Sequence, residues 1–130
     1  MKILVTDDSE KWVQHHITCL KSFLPEDTEF DIANWAKDGL DKVMFNIDSP
    51  YDVIFTDMQM ESDFLPLYAG EWFVRQIKTF KEYSKTSIVI VSAAPDINKI
   101  AEKYDVKYIP KRMCQSLTAY KEIFNEDSNV

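Results

Sequence analysis

The stretch from Asp52 to Thr56 reads DVIFT, and it is followed at once by Asp57. Its centre, VIF, is apolar without alternation. A strand covered on one face alternates apolar and polar residues, whereas a continuous run fits a central parallel strand covered on both faces. Ser49-Pro50 bounds it on one side and Asp57 on the other. Working outward, the same signature recurs. Lys2–Thr6 (KILVT) ends at Asp7-Asp8, and Ser87–Val91 (SIVIV) ends at Ser92. Two weaker runs, Glu29–Asn34 and Lys107–Ile109, complete a set of five predicted strands, the last followed closely by Lys111.

Amphipathic stretches fill the gaps. Ser9 is a candidate cap for a helix running to about Phe23, with Trp12, Val13, Ile17 and Leu20 at helical spacing and Pro25 beyond its end. A second helix is expected over Asp38–Asn46, with Leu40, Val43, Met44 and Ile47 on one side. A third is expected over Gly70–Tyr83, carrying Phe73, Ile77 and Phe80, a fourth over Asp96–Tyr104, and a fifth over Met113–Phe124. Met58 to Ala69 shows no period, contains Pro66, and reads as a long loop. Five strand–helix units in a row imply a doubly wound α/β domain with a parallel sheet.

Composition narrows the function. At 130 residues the chain fits one domain, assigned to residues 1–125 with a frayed tail at 126–130. Only Gly39 and Gly70 occur, so neither a GxxxxGK[ST] nor a GxGxxG phosphate cradle can be written. The net charge of -7 argues against nucleic acid, which needs clustered Lys and Arg, and favours a basic partner or a divalent cation. No apolar run approaches a membrane span and no signal peptide is recognisable. Cys19 and Cys114 lack metal spacing and read as reduced thiols of a cytoplasmic protein.

In an open parallel sheet, ligands bind beyond the carboxyl ends of the strands. Those ends carry Asp7, Asp8, Asp57, Ser92 and Lys111. Any one of them alone would be a turn, cap or surface residue. Together they aim three carboxylates, a hydroxyl and an amine at one place. Clustered carboxylates repel, and a hard cation such as Mg²⁺ relieves that repulsion while recruiting phosphate oxygens. The chemistry such a group suits is phosphoryl transfer to an aspartate. His15 and His16, adjacent on the first helix, face different ways and read as solvated or helix-surface residues rather than ligands. Trp12, Trp35 and Trp72 read as packing residues, and the methionines show no ligand spacing.

The segments ILVTDDS (Ile3–Ser9), AKDG (Ala36–Gly39), DVIFTDMQM (Asp52–Met60), IVIVSA (Ile88–Ala93) and YIPK (Tyr108–Lys111), in this order, resemble the receiver domain of two-component response regulators. The likeness covers nearly the whole chain. It implies a flavodoxin-like (βα)5 fold with strand order 2-1-3-4-5. It also implies roles: Asp57 as phosphoacceptor, Asp8 as the more direct Mg²⁺ ligand, Asp7 acting partly through water, and the Gln59 backbone carbonyl on the metal. Ser92 would bond a phosphoryl oxygen, and Lys111 would pair first with Asp57 and then with the phosphoryl group. Tyr108 would be an aromatic switch that follows Ser92 inward, and the output face would be the fourth helix, fifth strand and fifth helix.

Implied partners are a histidine kinase or phosphotransfer protein as donor, and a downstream protein or a second copy of the chain as receiver of the signal. The chain stops soon after its fifth helix, so a stand-alone switch is expected, enzymatic only in its own phosphorylation and dephosphorylation. Two departures stand out. Arg112 follows Lys111 where the family usually has proline, and ESDFLPLYA (61–69) looks like an insertion before Gly70, fit either to cover the third helix or to meet a partner. These departures suit a second reading, a receiver-like binding module without phosphorylation. A phosphatase with an aspartyl nucleophile would want a second Asp two residues on, where Gln59 and Ser9 stand. A flavin-binding relative would want a hydroxyl- and Gly-rich loop in place of DDSEK.

Overall fold

A computed structural model of the chain describes residues 1–60 and 69–125. Five strands, β1 (Lys2–Thr6), β2 (Glu29–Ala33), β3 (Val53–Asp57), β4 (Ser87–Ser92) and β5 (Lys107–Pro110), form one sheet in the order β2-β1-β3-β4-β5. Every pairing is parallel. Helices α1 (Glu10–Lys21), α2 (Ala36–Phe45), α3 (Ala69–Ile77), α4 (Ile97–Tyr104) and α5 (Leu117–Asn125) connect and follow the strands. The expected fold class and strand order are therefore those observed.

The continuous apolar runs have the reason inferred for them. Successive side chains of a strand point to opposite faces, and here both faces are covered. Leu4, Ile54, Ile88 and Ile90 pack with Val43, Phe73, Ile77, Ile97 and Ile100 beneath α2, α3 and α4. Their neighbours Ile3, Val5, Val53, Phe55, Val89 and Val91 pack with Val13, Ile17, Leu20, Cys114 and Tyr120 beneath α1 and α5. Gly39 lets α2 approach α3, because a Cβ there would lie 2.8 Å from the Phe73 ring.

Several expectations need correction. The third helix ends at Ile77, and a separate 3-10 turn spans Lys81–Tyr83. Phe80 caps that turn in an extended conformation (φ -95°, ψ 116°), so its helical spacing from Phe73 and Ile77 does not reflect a continuous helix. A 3-10 turn also occupies Lys111–Met113, and α5 begins only at Leu117. Met44 is 51% exposed, and the buried side of α2 is Ala36, Gly39 and Val43. Trp35 is 49% exposed at the start of α2, so it is not a core packing residue. The 61–69 insertion, save Ala69, and the 126–130 tail lie outside the described residues. Among the described residues, no helix is long and apolar enough to cross a membrane.

Candidate functional site

Register assembles the site. Thr6 of β1 is level with Thr56 of β3, so Asp7 emerges beside Asp57. Asp57 is level with Val91, so Ser92 lies one step further along β4, and its partner Pro110 sets Lys111 one step beyond β5. Asp7, Asp8 and Asp57 each bring a carboxylate oxygen within 4.8 Å of the others. Lys111 Nζ lies 3.5 Å from Asp57 Oδ2. Four residues from three strand ends thus meet at the carboxyl edge of the sheet.

Asp7 is buried. Its Oδ1 accepts the Ser9 amide at 2.9 Å, which draws the chain into α1, whereas Oδ2 is buried with no hydrogen-bond partner. Burial is the main reason its carboxyl is pushed up to about 6; the Ser9 bond opposes this, and the Asp57 charge adds to it. Asp57 is also buried, and burial raises its carboxyl. The Lys111 charge, the Met58 amide (2.7 Å to Oδ1) and the Gln59 amide oppose that rise. Asp8 is the most exposed of the three.

Three carboxylates facing one ammonium leave an excess of negative charge, and an orphaned buried carboxylate oxygen is a costly feature without a compensating ligand. An all-oxygen donor set of this kind fits a hard divalent cation.

The remaining expected residues lie at the margin. Ser92 is buried, and its Oγ accepts the Ala94 amide at 3.0 Å. Tyr108 is 42% exposed on β5, level with Ile90. The Gln59 amide faces the Asp57 carboxylate. Gly70 closes on the end of β3: its amide donates to the Met58 carbonyl at 2.9 Å.

One expectation is overturned. His16 is not on the helix surface but 2% exposed, with Nδ1 2.6 Å from Tyr120 Oη and Nε2 4.0 Å from Asp7 Oδ2. Its spacing carried the signal, since it falls three residues after Val13 and four before Leu20, on the buried side of α1. Burial, reinforced by His15 and Lys111, lowers its imidazole to about 4, so it is neutral at pH 7. His15 is half-buried, with Nε2 2.6 Å from the Cys114 carbonyl. Trp12, expected as a packing residue, also carries its ring beneath the Lys111 ammonium, 4.8 Å from centroid to Nζ.

This fold is that of response-regulator receiver domains. The receiver domain of the histidine kinase CKI1 from Arabidopsis thaliana is similar at 21% identity and a TM-score of 0.73, over 95% of this chain and 89% of that one. The phosphorylated cyanobacterial phytochrome response regulator RcpA is similar at 16% identity and a TM-score of 0.77, over 97% of this chain and 94% of that one. The Mn²⁺-bound response regulator Rcp1 is similar at 15% identity and a TM-score of 0.73, over 95% and 93%. No protein-family model and no curated protein matches the chain.

Proposed function

We propose that the chain is a phosphoryl-accepting switch: Asp57 takes a phosphoryl group from a phosphohistidine on a histidine kinase or phosphotransfer protein, and the added charge changes which protein the chain binds. The observation that carries this reading is the convergence of three carboxylates from two strand ends on one point, with the Lys111 ammonium against the middle one of the sheet.

Asp7, Asp8 and Asp57, with the Gln59 backbone carbonyl, would hold Mg²⁺, which when bound neutralises the carboxylates and the charge on the transferring oxygens. A carboxylate oxygen of Asp57 attacks the phosphorus in line. The P–N bond to the donor imidazole breaks, the electron pair leaves with the imidazole nitrogen, and an acyl phosphate results. Met58 and Gln59 hold the Asp57 carboxylate by their amides. Lys111 follows the negative charge from the carboxylate to the phosphoryl oxygens. Ser92 accepts from the Ala94 amide, which leaves its hydroxyl proton to donate to a phosphoryl oxygen.

Ser92 and Lys111 gain these partners only in the phosphorylated state, and such differential binding biases a two-state equilibrium. Tyr108, half exposed, is the residue that would move inward. The face that changes is formed by α4, β5 and α5, and it serves a downstream protein or a second copy of the chain. This reading goes with a cytoplasmic location, where Cys19 and Cys114 stay as the free thiols they are here.

The test is intact mass after incubation with Mg²⁺ and acetyl phosphate or phosphoramidate, with rapid quenching. One added phosphoryl group is expected, absent without Mg²⁺ and absent in Asp57→Asn. No adduct under any of these conditions would leave a receiver-like binding module in place of a phosphorylated switch.

A further inference from the structure

Two groups lie against the Lys111 ammonium among the described residues, Asp57 and Trp12. Its distance to Asp57 Oδ2 is 3.5 Å, and its distance to the centroid of the Trp12 ring is 4.8 Å. The first is long for a charge-assisted hydrogen bond, which closes to about 2.7–2.9 Å. The second is well inside the range of about 6 Å over which an aromatic face attracts a cation, and Trp offers the strongest such face. The ammonium is therefore shared between ring and carboxylate.

The ring is itself fixed. Trp12 sits in the first turn of α1, where its amide donates to the capping Ser9 Oγ at 3.4 Å. The ring lies 5.5 Å from His16 at an interplanar angle of 31°, and meets His15 edge-on at 5.7 Å. Ser9 is the residue after Asp8, so the helix turn that carries the ring is tied directly to the acidic pair.

A lysine fully closed on Asp57 would put its charge on the same oxygens that a divalent cation and the incoming phosphorus require. We infer that Trp12 is a positioning residue that draws the Lys111 ammonium back from Asp57 and so keeps the carboxylate open to the cation. The inference rests on the proposed function, in which Asp57 shares a divalent cation with Asp7 and Asp8. Lys111 begins a 3-10 turn whose next residue is Arg112.

The experiment measures Mg²⁺ affinity by calorimetric titration for the full chain and for Trp12→Leu, Trp12→Phe, Lys111→Met and the Trp12→Leu/Lys111→Met double variant. Loss of the ring is expected to weaken Mg²⁺ binding by roughly three- to tenfold, the range a single cation–π contact supports. Trp12→Phe is expected to fall between Trp12→Leu and the unaltered chain. In the Lys111→Met background the same Trp12→Leu change is expected to do nothing, because no ammonium remains to be held. Equal or tighter binding by Trp12→Leu, or equal weakening with and without Lys111, would overturn the inference, the last pointing to a merely structural role.

A second readout needs no metal. The ε-methylene protons of Lys111 should be shifted upfield by the ring current of Trp12 in the unaltered chain and return to ordinary positions in Trp12→Leu. Absence of that shift overturns the inference on its own. If the unaltered chain bound no Mg²⁺ while the ring-current shift was present, the metal-dependent function would fail and the ring–ammonium contact would stand.

Discussion

Gly70 is pressed against the backbone of Asp57, so closely that a Cβ at that position would lie 2.6 Å from Met58 Cα and 2.9 Å from the Asp57 carbonyl carbon. No side chain can yield here, because the obstacles are main-chain atoms of Asp57 and Met58. The absence of a side chain is what allows the start of α3 to return to β3, and the Gly70 amide bonds the Met58 carbonyl at 2.9 Å. Gly70→Ala is therefore expected to destabilise the fold by about 1–3 kcal/mol, the usual range for overpacking. Where the variant folds, it should also slow phosphoryl uptake by displacing Asp57. Urea unfolding gives the first quantity and a time course of intact mass the second. A variant as stable and as reactive as the unaltered chain would show that the close approach is not required.

Asp7 predicts a pH-dependent cost that a cation removes. Its carboxyl is raised from 3.8 to about 6, chiefly by burial. In the metal-free protein the folded state holds this proton more tightly than the unfolded chain. The resulting stabilisation is full below about 3.8 and is lost as pH rises toward 6. Above that, the buried carboxylate is a net burden of up to about 3 kcal/mol. Asp7→Asn keeps an oxygen for the Ser9 amide and removes the charge. Without metal it should be more stable than the unaltered chain at pH 8, with the advantage fading as pH falls through 6. Saturating Mg²⁺ should stabilise the unaltered chain much more than the variant, by linkage of binding to folding. Unfolding curves at several pH values, with and without Mg²⁺, check both halves.

His16 acts in the opposite direction. Its imidazole is lowered from 6.5 to about 4, so it is buried neutral and the unfolded chain takes up the proton first. The stability it permits is full above about 6.5 and is lost as pH falls toward 4. In the unaltered chain this loss overlaps the gain from Asp7. Asp57, whose carboxyl burial also raises, opposes it in the same way, so in an Asp7→Asn/Asp57→Asn background the His16 loss should stand out as a steady fall in stability below pH 6.5, and adding His16→Gln should flatten it. Tyr120→Phe removes the hydroxyl that lies 2.6 Å from His16 Nδ1 and should cost about 1–3 kcal/mol, the penalty of an unpaired buried polar group.

The fold was legible because three strands, KILVT, DVIFT and SIVIV, are apolar on both faces, a pattern that few arrangements other than a covered parallel sheet satisfy. The acidic edge was legible for the same reason: once the strands are fixed, the residues that follow them are fixed too. Side-chain direction on helices was less so. His16 and His15 differ only by one helical step, and local polarity alone does not show that one faces Tyr120 beneath the sheet and the other the Cys114 carbonyl. The end of α3 has no sequence signal of that kind, because Phe80 keeps helical spacing after the helix has stopped. There, Thr79 turns its hydroxyl onto the Gln76 carbonyl at 2.6 Å and the chain changes to a 3-10 turn. The hold of Trp12 on Lys111 joins residues ninety-nine positions apart and has no local signal.

Ser92 and Tyr108 carry the last prediction. Ser92 Oγ is buried and engaged by the Ala94 amide, while Tyr108, on the neighbouring strand, is 42% exposed. In the proposed switch the serine hydroxyl turns toward a phosphoryl group on Asp57 and Tyr108 follows it inward. Phosphorylation, or its mimicry by beryllofluoride, is then expected to protect Tyr108 from nitration by tetranitromethane. Ser92→Ala should still accept the phosphoryl group, more slowly for want of one hydrogen bond to it, a loss of about 1.5–3 kcal/mol when the acceptor is charged. Mapping nitrated peptides before and after beryllofluoride reads out Tyr108 directly. Equal labelling in both states would mean that β5 does not relay the event at Asp57, and that any output leaves through another face.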